Sequence, residues 1–182
     1  MMENVLMHQD IGLDAVNALP YRKALHAFYE CCNSVSMAAE LVAARPYRSQ
    51  AALLSRADDV LFGLPEDAVE EIAHSYPSVG RRPRSLWSHA EQCSVWDPSP
   101  AMMAQLRSAS RRYAQTFGFG FLMHVGGIDE SNPAAEVIAT INERISNDPE
   151  TERKVIRNEI AKLNRSRLQR MLGPEGGYDN WY

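Results

Sequence analysis

The chain has few cysteines, and their positions do not suggest a disulfide framework. Three cysteines occur among 182 residues. Cys31 and Cys32 are adjacent, which disfavours a bridge between them, and Cys93 stands alone. The sequence therefore predicts reduced thiols, which are typical of cytoplasmic proteins. No cysteine–histidine spacing resembles a zinc site, so we predict no bound metal.

The sequence also lacks a strong excess of charge and a long apolar run. Its formal net charge of −4 argues against nucleic acid or an anionic membrane as the main partner. No apolar stretch approaches the roughly 20 residues that span a bilayer, so we expect no membrane partner. Arginines do cluster locally at positions 81–84 and 165–170. Such clusters suit a small anion without making the whole chain basic.

Strand patterns are scarce. The one β-like run, residues 117–125, is short and rich in glycine, and no second run offers it a strand partner. We interpret it as an extended connector between helices. The sequence contains no internal repeat and no low-complexity segment. Its length suits one domain with a substantial core of its own.

Helical periodicity dominates the second half of the chain. The longest pattern predicts one apolar helix face with Met102, Leu106, Ala109, Tyr113 and Phe117. Ser99-Pro100 is typical of a helix start, and Gly118 is typical of a helix end. Similar signals predict a helix opened by Asn132-Pro133, and a longer one that begins at Asp148-Pro149 and ends at Gly173-Pro174.

The first half also carries helix patterns. Two predicted apolar faces are formed by Leu25, Phe28, Tyr29 and Cys32, and by Met37, Leu41 and Ala44. Pro65 opens a further helix, which we expect to end near Pro77. We therefore predict an all-α, single-domain bundle of about eight helices over residues 1–172. Residues 173–182 are predicted to form a C-terminal tail.

Two short segments carry a resemblance to a known family. Residues 76–80 read Tyr-Pro-Ser-Val-Gly, and residues 88–92 read Ser-His-Ala-Glu-Gln. This pair resembles the active-site region of the 2-oxo-4-hydroxy-4-carboxy-5-ureidoimidazoline (OHCU) decarboxylases, enzymes of the pathway from uric acid to allantoin. Members of that family normally have a catalytic histidine before the proline. Here Tyr76 stands at that position.

The resemblance extends from about Leu13 to Leu172. Further motifs follow in the family's order: Asp14-Ala15-Val16-Asn17, Arg45-Pro46-Tyr47, Tyr113 with Phe117 to Phe121, Asn142 to Ile145 with Asn147, Asp148 and Glu152, and Arg167-Leu168. Each motif alone is weak, but their common order favours the family's helical fold. The resemblance also implies a small-molecule substrate, no cofactor and a homodimer.

The resemblance implies a set of site residues. Glu91 and Gln92 are adjacent on a predicted helix, so their side chains diverge by about 100° and can flank a flat heterocycle. Ser88 shares the face of Glu91, and Arg167 would clamp a substrate carboxylate through two parallel hydrogen bonds. The phenol of Tyr76 is mostly neutral at pH 7, so it donates a hydrogen bond more readily than it acts as a base.

Three further residues join the predicted binding surface: Pro77, Phe119 and Phe121. Alternatives remain for several positions. Ser88 and Glu91 also have the spacing of a solvent-facing capping box, and Arg167 is also consistent with a surface arginine near a helix end.

Two histidines are alternative site residues. His74 would take the catalytic position if the chain bulged before Pro77, and His124 follows the glycine-rich connector. For both, an ordinary surface or core histidine is the competing interpretation.

Three functions are consistent with these patterns. The first is a cofactor-independent lyase that removes carbon dioxide from a small nitrogen-heterocyclic carboxylate, either OHCU or a related compound. The second is a repurposed family member that catalyses a proton-transfer, isomerisation or cyclisation step in a secondary-metabolite pathway. The third is a binding protein without catalysis.

Overall fold

A computed structural model of the chain describes residues 9–76, 79, 95, 97, 99–126 and 132–174. These residues form eight α-helices and no strand, which confirms the predicted all-α fold. The helices are α1 (Leu13–Ala18), α2 (Tyr21–Cys32), α3 (Val35–Ala43), α4 (Gln50–Gly63), α5 (Glu66–Ser75), α6 (Pro100–Phe117), α7 (Pro133–Arg144) and α8 (Pro149–Leu172).

The chain divides into two compact units. One unit comprises Met1–Leu64 and Ala161–Tyr182, and the other comprises Pro65–Ile160. The first therefore contains α1–α4 with the last part of α8, and the second contains α5–α7 with its first part. The predicted boundary at residue 172 coincides with the end of α8. The tail beyond Pro174 lies outside the described residues, so its assignment stays a prediction.

The predicted helix ends in the second unit are confirmed. The Ser99 hydroxyl accepts the N–H of Met102 at 3.3 Å and caps α6. Gly118 ends that helix with a φ of 84°, a left-handed conformation that costs glycine little. Residues 118–126 then form neither helix nor strand, as the sequence predicts for the connector. Local chemistry is therefore sufficient to fix where α6 stops.

The predicted apolar face of α2 needs a correction. Phe28 and Cys32 are buried as expected, but Tyr29 is 43% exposed. Each helical residue turns by about 100°, so the buried stripe centres on Ala24 and Phe28 and leaves Tyr29 outside it. Ala24 and Ala27 also lie on the buried side of α2, which packs against α3.

The Arg45-Pro46-Tyr47 motif holds the first unit together. Arg45 Nη1 donates to the carbonyls of Val16 and Leu19 at 2.9 and 2.8 Å, at the C-terminal end of α1. Tyr47 donates its hydroxyl to the Leu41 carbonyl at 2.7 Å. A guanidinium suits carbonyls that have no partner within their own helix. The motif therefore has a structural role.

Replacement of Arg45 by alanine is expected to lower the free energy of unfolding by about 1.5–3 kcal/mol, because helix α1 loses a charged hydrogen-bond donor. Arg48→Ala is the matched control, since Arg48 is an exposed arginine three positions along the chain. Chemical denaturation of both variants gives the comparison. Equal stability of the two variants would contradict this role for Arg45.

The C-terminal end of α8 is capped by the N-terminal segment. The backbone N–H groups of residues 10–12 donate in turn to the carbonyls of Arg170, Met171 and Leu172 at 2.9–3.0 Å. Gly173 follows with a φ of 73°, and a side chain there would approach Asp10. The last carbonyls of α8 are thus satisfied by backbone donors from a distant part of the sequence.

Candidate functional site

Tyr76 lies in the interior of the second unit. It follows the last residue of α5, has an extended backbone and is 7% exposed. The carbonyl of Val79, three residues later, accepts the Ser110 hydroxyl of α6 at 3.4 Å. Val79 therefore lies against α6. A buried phenol at this position has little freedom to turn toward solvent.

Four predicted site residues cannot be placed: Pro77, Ser88, Glu91 and Gln92 lie outside the described residues. Their roles, and the choice between a ligand site and a capping box for Ser88 and Glu91, stay predictions. For the same reason, the convergence of these residues with Tyr76 and Arg167 on one cavity also stays a prediction.

Arg167 is buried in α8, with 1% of its surface exposed. Arg165, its competitor on the same helix, has an exposed side chain and pairs with Asp58. The interpretation of Arg167 as a surface arginine is therefore wrong. Arg167 follows Leu163 by four positions and precedes Met171 by four, so it lies on the apolar face of α8. That spacing agrees with its burial, but in the sequence it was the resemblance that singled out Arg167.

A neutral thiol neighbours this guanidinium. Burial raises the pKa of Cys32 to about 11, and the positive charge of Arg167 is among the effects that oppose the rise. Cys32 also donates to the Phe28 carbonyl at 2.9 Å. Cys32 is thus uncharged near pH 7 and does not neutralise Arg167.

Phe119 and Phe121 pack around Tyr113. Their ring centroids lie 6.1 and 5.2 Å from that of Tyr113, both in edge-to-face arrangements. The Arg144 guanidinium lies over the Phe121 ring at 4.5 Å. Both phenylalanines are buried, so they fix the connector against α6 and α7. Their predicted contact with a ligand stays a prediction.

A buried polar network connects α6, α7 and α8. Glu152, which is fully buried, accepts hydrogen bonds from the Tyr113 hydroxyl, from Arg144 Nε at 2.9 Å and from Asn147 Nδ2 at 2.7 Å. Arg144 Nη1 donates to the Leu122 carbonyl of the connector at 2.9 Å. Burial, together with the hydrogen bond to Glu152, raises the pKa of Tyr113.

This network explains the family-like motif around residues 142–152. Its charges satisfy one another, so the arrangement favours a structural role over catalysis. In the sequence these residues carry the resemblance but have no assigned role. The available signal was Glu152 itself, which precedes Ile156 and Ile160 by four and eight positions and so lies on an apolar helix face.

A shallow cleft in the second unit is lined by Glu66, Val69, Glu70, Phe119, Arg153, Lys154, Ile156 and Arg157. Its charged rim is partly paired within the protein. Arg153 Nε lies 2.8 Å from a Glu70 oxygen, and Lys154 Nζ lies 2.8 Å from Glu150. Such solvent-exposed pairs contribute little to the stability of the fold.

The two alternative histidines differ in what holds them. His74 is exposed, and its ring nitrogens lie 2.7 Å from the Glu70 carbonyl and 3.0 Å from the Gly118 carbonyl. A move of this ring toward the predicted site would give up both contacts. His124 is held through its backbone N–H, which donates to Glu159 Oε2 at 2.6 Å.

Within the described ranges, no helix is long and apolar enough to cross a lipid bilayer. The same part of the chain holds no cluster of three or more His, Cys, Asp or Glu side chains placed to bind a metal ion.

Comparison with known proteins gives the family context. The family model described as OHCU decarboxylase matches residues 17–169. Among curated proteins, none matches the chain at a significant level.

Two solved structures resemble the chain. A crystal structure of an OHCU decarboxylase in the presence of (S)-allantoin is 21% identical, with a TM-score of 0.68, and the match covers 80% of this chain and 96% of that one. A crystal structure of (S)-allantoin synthase is 15% identical, with a TM-score of 0.70, and the match covers 90% of this chain and 54% of that one. At these identities the likeness shows a shared fold.

Proposed function

Because this chain belongs to the OHCU decarboxylase family, we propose that it is a cofactor-independent lyase with a role in purine catabolism. The proposed substrate is a small nitrogen-heterocyclic carboxylate, either OHCU or a related compound. The proposed reaction breaks a carbon–carbon bond and releases carbon dioxide. Such a reaction needs a substrate that holds its own electron sink, a clamp for the ring and a proton donor.

The proposed roles follow from the chemistry of each side chain. Glu91 accepts hydrogen bonds from ring or ureido N–H groups, and the amide of Gln92 both donates and accepts. Arg167 binds the carboxylate, and Tyr76 donates a hydrogen bond to charge that develops on oxygen. Ser88, Pro77, Phe119 and Phe121 complete the proposed binding surface.

The burial of Arg167 is the observation that carries this proposal. A guanidinium in the protein interior attracts a carboxylate more strongly than an exposed one, because solvent and salt screen the charge less. Its planar donors also match the two oxygens of a carboxylate. The chain thus keeps a carboxylate-binding group at the position where the family-like motif expects one.

Tyr76 favours a second candidate, in which the family fold serves a different proton-transfer, isomerisation or cyclisation step. A buried phenol is a weak base near pH 7 but a good hydrogen-bond donor. This chemistry suits a reaction that needs oxyanion stabilisation more than proton abstraction. The third candidate, a binding protein without catalysis, is disfavoured because polar groups that face a cavity without a ligand cost about 1–3 kcal/mol each.

The test is a binding study with (S)-allantoin and freshly generated OHCU as probes. Glu91→Ala and Arg167→Ala are each expected to weaken binding roughly ten- to a hundredfold, which corresponds to about 1.5–3 kcal/mol. Thermal shift gives a screen, and calorimetry gives the affinity. Arg167→Gln serves as a second variant in case the alanine substitution disturbs the fold.

Arg165→Ala is the matched control, because this arginine lies on the same helix with an exposed side chain. It is expected to bind the probes as the unmodified chain does. Probes that stabilise all of these proteins equally would show that Glu91 and Arg167 are not ligand contacts, and the site assignment would fail.

A further inference from the structure

The ring of His74 lies between the ends of two helices. Its Nδ1 lies 2.7 Å from the carbonyl oxygen of Glu70, one turn earlier in α5, and its Nε2 lies 3.0 Å from the carbonyl oxygen of Gly118. His74 is in the last turn of α5, and Gly118 is the residue that ends α6. Because a carbonyl oxygen only accepts, Nε2 carries the proton in the hydrogen bond to Gly118, and a protonated ring donates to both carbonyls. The imidazole therefore joins the C-terminal ends of α5 and α6.

The Gly118 side of this link is held in place by packing. The Gly118 N–H donates to the Ala114 carbonyl at 2.9 Å and closes the last turn of α6. The next residue, Phe119, is buried, and its ring centroid lies 6.1 Å from that of Tyr113 and 6.0 Å from that of Phe117. Such aromatic contacts restrain the backbone that carries them. The Gly118 carbonyl is thus a fixed point of attachment for the ring of His74.

The end of α5 also has hydrogen bonds of its own, but they are local. The Ser75 hydroxyl donates to the Ile72 carbonyl at 2.6 Å, and the Tyr76 N–H lies 3.4 Å from the Ala73 carbonyl. Bonds within one turn fix the shape of a helix end and not its distance from another helix. The hydrogen bond of His74 to Gly118 spans 44 positions of the sequence, so it does set that distance.

Tyr76 lies in the sequence between two attachments to α6 and its end. The His74 ring, two residues earlier, bonds to Gly118, and the Val79 carbonyl, three residues later, accepts the Ser110 hydroxyl. Tyr76 itself is buried. Two residues of chain span at most about 7 Å, so a displacement at His74 is passed on to Tyr76 with little room to dissipate.

We propose that His74 is a positioning residue, which sets the place of Tyr76 against α6 through its hydrogen bond to the Gly118 carbonyl. This inference rests on the proposed function, in which Tyr76 donates a hydrogen bond to an oxygen of the ligand. A hydrogen bond weakens steeply as its geometry departs from the preferred one, so a displaced phenol binds the ligand less well. His74 thereby acts through Tyr76 without touching the ligand.

The experiment compares the affinity of the full-length chain and its variants for (S)-allantoin by calorimetry. His74→Asn places an amide nitrogen near the position of Nδ1, too short to reach Gly118, and is expected to weaken binding about three- to tenfold. His74→Gln places an amide nitrogen near the position of Nε2, keeps the hydrogen bond to Gly118 and is expected to retain the affinity within about twofold. Circular dichroism verifies that both variants are folded.

A double-mutant cycle shows whether His74 acts through Tyr76. Tyr76→Phe removes the hydroxyl that the proposal places against the ligand. In that background, His74→Asn is expected to weaken binding by less than about twofold, because the hydrogen bond whose geometry it disturbs is already absent. Loss of affinity by the same factor in both backgrounds would show that His74 does not act through Tyr76 and would overturn the inference.

His26→Asn is the matched control, because His26 is also an exposed helical histidine but its ring lies 3.5 Å from Glu30 of the same helix. It is expected to leave the affinity unchanged. Equal affinity of His74→Asn and the unmodified chain, or an equal loss in His74→Asn and His74→Gln, would overturn this inference while the proposed function stands. Failure of the unmodified chain to bind either (S)-allantoin or OHCU would overturn the proposed function, and this inference with it.

Discussion

Replacement of Glu152 by alanine is expected to lower the free energy of unfolding by about 3–5 kcal/mol. The carboxylate is fully buried and accepts from Tyr113, Arg144 and Asn147. Its removal would leave the buried charge of Arg144 without its carboxylate partner. Since domains are stable by about 5–15 kcal/mol in total, this one change would remove a large part of the stability. Urea denaturation of the purified variant measures the effect.

Glu150→Ala is the control for this prediction. Glu150 lies on the same first turn of α8, but its side chain is exposed and pairs with Lys154 on the surface. We expect it to change stability by no more than about 0.5 kcal/mol. If the two alanine variants unfolded at the same urea concentration, the buried network would not have the structural role assigned to it.

Replacement of Tyr76 by histidine is expected to raise the turnover of OHCU roughly a hundredfold or more, from a slow or undetectable rate. An imidazole exchanges a proton near neutral pH, whereas a phenol rarely loses one there. A positioned general acid or base typically increases the reaction rate by a factor of about 10²–10⁴. Carbon dioxide release from freshly generated OHCU, followed for both proteins under the same conditions, gives the comparison.

Tyr76→Phe is the matched control, because it keeps the ring of this buried side chain and removes only the hydroxyl. It is expected to turn over OHCU no faster than the unmodified chain does. Circular dichroism would verify that the smaller histidine leaves the fold intact. Rapid decarboxylation by the unmodified chain would contradict the prediction and would indicate either a catalytic phenol or a role for His74.

The helices of the second unit follow from signals that lie within a few residues of each helix end. Ser99 caps α6 through a bond to Met102, three residues away, and Gly118 ends it through its own backbone conformation. The run after Gly118 contains two phenylalanines, Phe119 and Phe121, and the sequence offers it no strand partner, so the extended connector was also predictable. Hydrogen bonds between residues so close in sequence can be predicted without the tertiary structure.

The apolar face of a helix is less certain from sequence than its ends. Tyr29 matched the spacing of a core residue in α2, but the buried stripe centres on Ala24 and Phe28 and leaves Tyr29 outside it. Which side of an amphipathic helix is covered depends on how closely its neighbour approaches. Packing against α3 decided that question.

The sequence by itself determined the helical fold, the family and the choice of polar residues whose role in ligand binding is to be tested. Only the tertiary structure shows that Arg167 is buried while Arg165 is exposed. Only the tertiary structure, likewise, shows that the Tyr113 hydroxyl donates a hydrogen bond to Glu152. The physical reason is the range of the interactions. A helix cap forms within one turn, whereas Tyr113 and Glu152 are 39 positions apart. A buried charge is stabilised by partners from distant parts of the sequence, and only the folded chain brings these together.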